Sequence, residues 1–271
     1  MKINKDTQLC ISIAERPSNF GTTLHNMAYA ALNLNFIYKA LAISDLAGAI
    51  TGVRALGIRG CSVSMPFKQA VIPLLDALDE TAKSTGAVNT IVNDGGHLTG
   101  YNTDLIGARI VLASLQPRPD ERVLILGAGG VARAILVALR QLGCTNISVA
   151  NRNIEKVATL NDIVPCSALA WSAREQEPVQ LLINATSVGM APAAELMPVE
   201  TNFIQGVRAV MDVVLSPMES RLIACARASG KTVAPGYQMS LEQAAAQFFL
   251  YTGHAAPRSV MEDGIRKLLT V

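Results

Sequence analysis

The sequence predicts an α/β protein with helix-covered, mainly parallel sheets, and three observations carry that expectation. Half of the 271 residues are hydrophobic while aromatics make up only 4%, so the core is aliphatic, as Val/Ile/Leu strands and Ala/Leu helices would make it. Short apolar runs alternate with stretches of helical periodicity, the rhythm of parallel strands joined by right-handed crossovers. A polar, Pro-rich connector, QPRPDE at 116–121, separates two such series. A chain of this length makes one large or two modest domains. The expected division is 1–104 and 105–238, followed by a helical segment over 239–271.

The elements are justified in turn. CISIA (10–14) reads as a strand, LHNMAYAALNL (24–34) as a helix and FIYKALAI (36–43) as a strand. SDLAGAITGVRAL (44–56) is helical, with Ser44 or Asp45 as its cap. IRGCSVSM (58–65) is a strand ending at Pro66. PFKQAVIPLLDAL then predicts a helix with proline in its first turn. TGAVNTIVNDGGHLTGYNTD (85–104) reads as strand, Asn-Asp-Gly-Gly turn, strand, before a helix over LIGARIVLASL. In the second half, RVLILGAGGVARAILVALRQLG is a strand, a glycine turn and a long helix. NISVANR (146–152), LLINATS (181–187), AVMDVV (209–214) and KTVAPG (231–236) are strands, and the chain is helical from about Ser240.

Composition excludes several classes. The net charge of +2, with no Lys/Arg run, offers nothing to nucleic acid. Five scattered cysteines (10, 61, 144, 166, 225) without a CxxC suit reduced, mostly buried thiols, and three distant histidines suggest no metal site. No apolar run approaches the ~20 residues of a membrane span, and no leader pattern opens the chain. A soluble, cytoplasmic protein is expected, monomer or homodimer, acting on a small molecule.

VLILGAGGVARAI places Gly127, Gly129 and Gly130 directly after a strand and before a helix. Such glycines let a pyrophosphate approach backbone N–H groups at a helix N-terminus. The pattern is GAGGVA rather than GxGxxG, and Ala132 takes the position that needs a small residue for helix–strand packing. A merely tight βα turn is the plain alternative. A dinucleotide site usually has an acid at the end of its second strand, for the ribose 2′-hydroxyl. Here that strand ends Asn151-Arg152-Asn153, with Lys156 beyond. Two cations suit a 2′-phosphate, so NADP is favoured over NAD; a solvated loop is the alternative. NATSVGM (184–190) brings two hydroxyls, Thr186 and Ser187, to the carboxyl edge of the sheet, the expected side for a nicotinamide.

Lys68, in the first turn of its expected helix, is unfavourable for the helix dipole, so local structure does not ask for it. A lysine whose pKa is tuned by burial and neighbours can move the proton of a secondary alcohol during hydride transfer; a surface lysine is the alternative. Asp104, in GYNTD (100–104), either starts a helix or points into a cleft as the partner of Lys68.

GCSVSMPFK, TGAVNT, GYNTDLIGA, LGAGGVARA, NRN with Lys156, NATSVGM and GYQMSLEQAA occur in the order seen in the shikimate dehydrogenase family, and the resemblance covers nearly the whole chain. It implies an N-terminal substrate domain, a Rossmann-type NADP domain and C-terminal helices that return to the first domain. It implies Lys68 and Asp104 as the catalytic pair, and Asp104, Asn89, Ser64 and Gln243 as substrate contacts. Gly127, Ala128, Gly129, Gly130 and Val131, then Asn151, Arg152, Asn153 and Lys156, match the dinucleotide loops. Val213 and Gly236 match positions that line the nicotinamide. The activity implied is interconversion of shikimate, or a related cyclic hydroxy acid, with its 3-dehydro ketone in aromatic amino acid (chorismate) biosynthesis.

The departures cluster on the substrate. The family's Ser-Lys-Ser, which holds the substrate carboxylate, is replaced within ERPSNFGTTLHN, where Ser18 is the only serine. Ser62 and Ser64 stand for an Asn and a Thr, and Leu215 for a Tyr. The sequence resembles a divergent, shikimate dehydrogenase-like branch with its chemistry retained and its substrate grip altered. The other readings are a quinate or aminoshikimate-type dehydrogenase, and a ligand-binding regulator without turnover.

Overall fold

The computed structural model describes residues 3–269. The chain forms two compact units, Met1–Thr103 with Gln243–Val271, and Asp104–Glu242.

The first unit is built on β1 (Gln8–Ala14), α1 (Phe20–Ala31), β2 (Phe36–Ala42), α2 (Leu46–Ala55), β3 (Gly60–Val63), β4 (Ala77–Leu78), α3 (Glu80–Thr85), β5 (Thr90–Asp94) and β6 (His97–Tyr101). Its sheet runs β2-β1-β3-β5-β6-β4. β1 pairs in parallel with both β2 and β3. β5 and β6 form the antiparallel hairpin read from the Asn-Asp-Gly-Gly turn, so this sheet is mixed. Ile11, Ile13, Ile50, Val53, Val63, Ile91 and Leu98 form its core. Asp45 caps α2 by accepting from Gly48 N at 2.9 Å, as its residue type favours.

The second unit contains α4 (Thr103–Ser114, its first residue in the other unit), β7 (Val123–Leu126), α5 (Gly130–Gln141), β8 (Ile147–Asn151), α6 (Glu155–Asn161), β9 (Ser167–Ala170), β10 (Leu181–Asn184), α7 (Thr201–Gly206), β11 (Ala209–Asp212), α8 (Arg221–Ala228) and β12 (Thr232–Ala234). Its sheet is wholly parallel, in the order β12-β11-β10-β7-β8-β9. Counted from β7, that is the doubly wound 3-2-1-4-5-6 order, with its switch point between the first and fourth strands. Alternate strand residues serve opposite faces. Val123, Ile125, Ile183 and Met211 join α5 in one cluster, while Leu124, Leu126, Leu182 and Val210 join α8 in the other. Glu121, buried at the foot of this sheet, accepts from Arg208 at 2.6 and 2.8 Å.

α9 (Gly236–Thr252) spans the second junction, and α10 (Arg258–Leu269) packs against α1. Within the first unit, Arg59 fastens the end of α9 to the sheet, donating to Tyr251 O and Asn93 O, both at 3.0 Å.

The structure corrects one element that bears on function. No α-helix covers 66–78: residues 65–71 form successive turns and 72–74 a short 3₁₀ segment. Pro73 has no N–H to donate and its ring opposes the preceding turn, and β4 then requires extended chain. The helix-dipole argument for Lys68 lapses with that helix. Other spans shift: α1 begins at Phe20 rather than 24, β3 is limited to residues 60–63, β10 ends at Asn184 rather than 187, and α9 begins at Gly236 rather than near Ser240.

Candidate active site

In the first unit a network of side chains gathers around Asn89. Its Oδ1 accepts from Thr90 Oγ1 (2.8 Å), Thr103 N (2.8 Å) and Thr103 Oγ1 (3.0 Å). Both threonine hydroxyls are thereby committed as donors, and each accepts one amide proton in turn. Gln247 Nε2 donates to Thr90 Oγ1 at 2.8 Å and Gln243 Nε2 to Thr103 Oγ1 at 3.1 Å. With Oδ1 spent, the Asn89 amide nitrogen is the atom able to donate to a ligand. Asn102 is tied down by Thr81, Thr85 and Ala87. The GYNTD turn is therefore rigid up to the residue before Asp104, which stands in the first turn of α4.

The Lys68 loop belongs to the same neighbourhood. Val88 N donates to Lys68 O at 2.8 Å and Val63 N to Asn89 O at 2.8 Å, so the half-buried lysine is carried on backbone clamped beside Asn89.

Next to this network lies a cavity of about 180 Å³. Ser18, Ser64 and Gln243 line it, and the Ser18 hydroxyl also accepts from Phe20 N. Ser62, noted in the sequence as a substrate-side departure, lines it too, and the polar wall residues that the sequence did not mark are Ser12, Arg16, His25, Tyr38 and Gln247. His25 is fully buried and stacks on Tyr38, with ring centroids 4.5 Å apart at 8°. Neither of its ring nitrogens makes a hydrogen bond. Burial pulls its pKa down to about 4, offset slightly by the Gln247 side chain, so the ring is neutral near pH 7. Tyr38 is registered by Asn26, whose side-chain amide pairs with both its backbone groups at 2.9 Å. Thr22 adds a bond to Ala40 N. A His-Asn pair within a helix was the available signal, but nothing in a single sequence says which cavity it would line.

The second unit places its glycine turn at the sheet's switch point. Gly127 follows β7 with φ +100°, and a Cβ there would lie 2.9 Å from both Ala185 O and Thr186 Cγ2, just past β10. Only glycine suits that position. Gly129 and Gly130 face open space, and Gly129 precedes α5 with no side chain capping the helix. The first N–H groups of α5 are thus available to an anion. Ala128 and Val131 are half-buried beside them, and Ala132 is fully buried, as the packing argument requires.

Past β8, Asn151 donates to Asn153 O at 2.7 Å and Asn153 accepts from Glu155 N at 2.9 Å. Both asparagines shape the loop, while Arg152 and Lys156 are exposed on it. Glu155 is the loop's one acid, in the first turn of α6. Thr186 donates to Asn184 Oδ1 at 2.6 Å and accepts from Val188 N, so its hydroxyl builds the turn; Ser187 is exposed. Asn184 is held in turn by the buried carboxylate of Asp212 at 2.9 Å. Burial raises the Asp212 pKa, and hydrogen bonds from Ser220, Val214 and Asn184 hold it back. Gly236 starts α9 so close to β11 that a Cβ would strike the Val213 carbonyl carbon at 2.6 Å. Val213 and Gly236 therefore meet, with Leu215 half-buried beyond. A glycine cradle at the switch point and a cationic loop after the second strand fit a phosphorylated dinucleotide.

All five cysteines are free thiols. Among the described residues no His/Cys/Asp/Glu group is arranged to hold a metal, and no helix is long and apolar enough to cross a membrane.

Residues 20–91 match the shikimate dehydrogenase substrate binding domain, 110–187 the shikimate/quinate 5-dehydrogenase domain and 236–264 the shikimate 5′-dehydrogenase C-terminal domain. A shikimate dehydrogenase-like protein of Haemophilus influenzae is 42% identical over 94% of this chain and 94% of its own. The chain belongs to the shikimate dehydrogenase family. A shikimate dehydrogenase (NADP(+)) of Moorella thermoacetica is 40% identical over 91% of this chain and 88% of its own. The crystal structure of a shikimate dehydrogenase in complex with NADP+ superposes with a TM-score of 0.90, at 32% identity, over all of this chain and 98% of its own. These family members match across both units, and the fold is theirs.

Proposed function

We propose that this protein is an NADP-dependent oxidoreductase that interconverts shikimate, or a closely related cyclic hydroxy acid, with its 3-dehydro ketone. The observation that carries the reading is the Asn89 centre. Its Oδ1 is satisfied internally, its Nδ2 is left for a substrate hydroxyl, and the Lys68 backbone is clamped to the adjoining residue. The relative named shikimate dehydrogenase (NADP(+)) and the shikimate dehydrogenase solved with NADP+ support it.

NADP+, when bound, is the hydride acceptor. Gly127 to Val131 would receive its pyrophosphate, Arg152 and Lys156 its 2′-phosphate, and Val213 and Gly236 would flank its nicotinamide. The chain's own residues manage the proton. Lys68 takes it from the reacting hydroxyl during oxidation and returns it during reduction. Asp104 accepts a hydrogen bond that orients that hydroxyl, and Asn89 donates a second. Ser18, Ser64 and Gln243 hold the rest of the ring.

The test is a panel of cyclic hydroxy acids with NADP+ and NAD+, following nicotinamide reduction. Shikimate with NADP+ should react. Lys68→Ala should lose turnover while still binding shikimate in calorimetry. No turnover of any acid by the native protein would favour the silent-regulator alternative. A quinate preference would follow if the altered carboxylate side and Leu215 admit the extra hydroxyl.

A further inference from the structure

Building on that reading, we propose that Arg16 is the anion anchor of the cavity: its guanidinium holds the substrate carboxylate and sets the preference for acids over neutral polyols. Among the described residues, Arg16 is the only charged one in the cavity wall, where the other polar groups are neutral hydroxyls, amides and the His25 ring. Neutral donors orient a carboxylate but supply no charge to balance the one withdrawn from water. A guanidinium does both, because its planar fork matches the two carboxylate oxygens.

Arg16 is also uncommitted. Among the described residues it makes no ion pair or hydrogen bond. Arg54 is bonded to Asp76 and Gly96, Arg59 to Tyr251, Asn93 and Asp94, and Arg266 to Glu262. The adjacent acid, Glu15, lines a neighbouring depression that Arg16 and Ser64 also border, and is absent from the wall of this cavity.

Two further features of the wall agree. Position 21 offers no hydroxyl, and a Cβ there would lie 3.0 Å from the Tyr38 ring and its hydroxyl, so the tyrosine leaves little room for a serine. The fully buried His25 also lies on the wall of this cavity, where Gln247 is the polar side chain that acts on its ring.

The experiment compares the native protein with Arg16→Gln, which keeps a polar side chain and removes the charge, using shikimate and NADP+. The shikimate KM should rise about tenfold or more, with kcat changed far less and the NADP+ KM unchanged. Added potassium chloride should raise the native KM and leave that of the variant nearly flat. Arg16→Lys should fall between them. Calorimetry with shikimate alone should give the same order of affinities without turnover. Equal KM values and equal salt dependence, in a native protein that does oxidise shikimate, would overturn this assignment and leave the functional reading intact. A native protein that neither binds nor oxidises shikimate overturns both.

Discussion

The carboxylate of Asp212 holds the side chain of Asn184: Nδ2 donates to Oδ1 at 2.9 Å, across the carboxyl ends of β10 and β11. Ser220 Oγ (2.5 Å) and Val214 N (3.0 Å) donate to the same buried carboxylate. Asn184 in turn sets the 186–188 turn, so one hidden acid shapes the edge where the nicotinamide is expected. Asp212→Ala strands three donors and should cost about 2–4 kcal/mol in urea unfolding. Asp212→Asn keeps one acceptor and should cost clearly less. Equal losses would show that the lost carboxylate acceptor, and not the cavity left by alanine, dominates.

The buried His25 makes stability depend on pH. Its folded value of about 4 lies below the usual 6.5, so between those values the unfolded chain binds a proton that the fold refuses. Stability should therefore fall as the pH is lowered from 6.5 towards 4, by up to about 3 kcal/mol. His25→Phe keeps a ring against Tyr38 and should flatten the urea midpoint between pH 7 and pH 5. An unchanged slope would assign the acid sensitivity elsewhere.

Glu121 should add to acid lability lower down. Its pair with Arg208 holds its carboxyl below the usual range. That contribution is present above the ordinary carboxylate value and is lost as pH falls through the folded one. Glu121→Gln should be destabilised at pH 7 and differ less from the native protein at pH 3.

Arg152→Ala should raise the KM for NADP+ at least tenfold and that for NAD+ little, because one charge-assisted contact to a phosphate is removed. Equal effects on both cofactors would sink the 2′-phosphate assignment.

Gly127→Ala should be worse than an ordinary surface change. The residue would adopt φ +100° and press its Cβ on Ala185 O, at roughly 1–3 kcal/mol. Dinucleotide binding should fail before folding does, which fluorescence titration with NADPH beside a thermal melt would separate.

Much of this was legible in order along the chain. The β7 turn, the β5–β6 hairpin and the Asp45 cap are short-range matters, settled by glycine and Asx chemistry within a few residues. The 66–78 segment misled because its apolar spacing is helical while Pro73 forbids the helix. The Asn89 centre was legible only as a motif. Thr90, Thr103, Gln243 and Gln247 meet there from segments far apart in sequence, and periodicity carries no record of such meetings. Asp212 read as one more strand residue, since nothing local marks a buried acid. Arg16 was passed over for Ser18, two residues on, because the absence of a competing charge among the described wall residues is a property of the folded chain.

The bonds that register α1 on β2 come from the side chains of Thr22 and Asn26, and none of them involves residues 16–18. Scaffold and rim are thus encoded by different positions. A library confined to 16–18 would vary the cavity rim while leaving the Thr22 and Asn26 bonds between α1 and β2 in place.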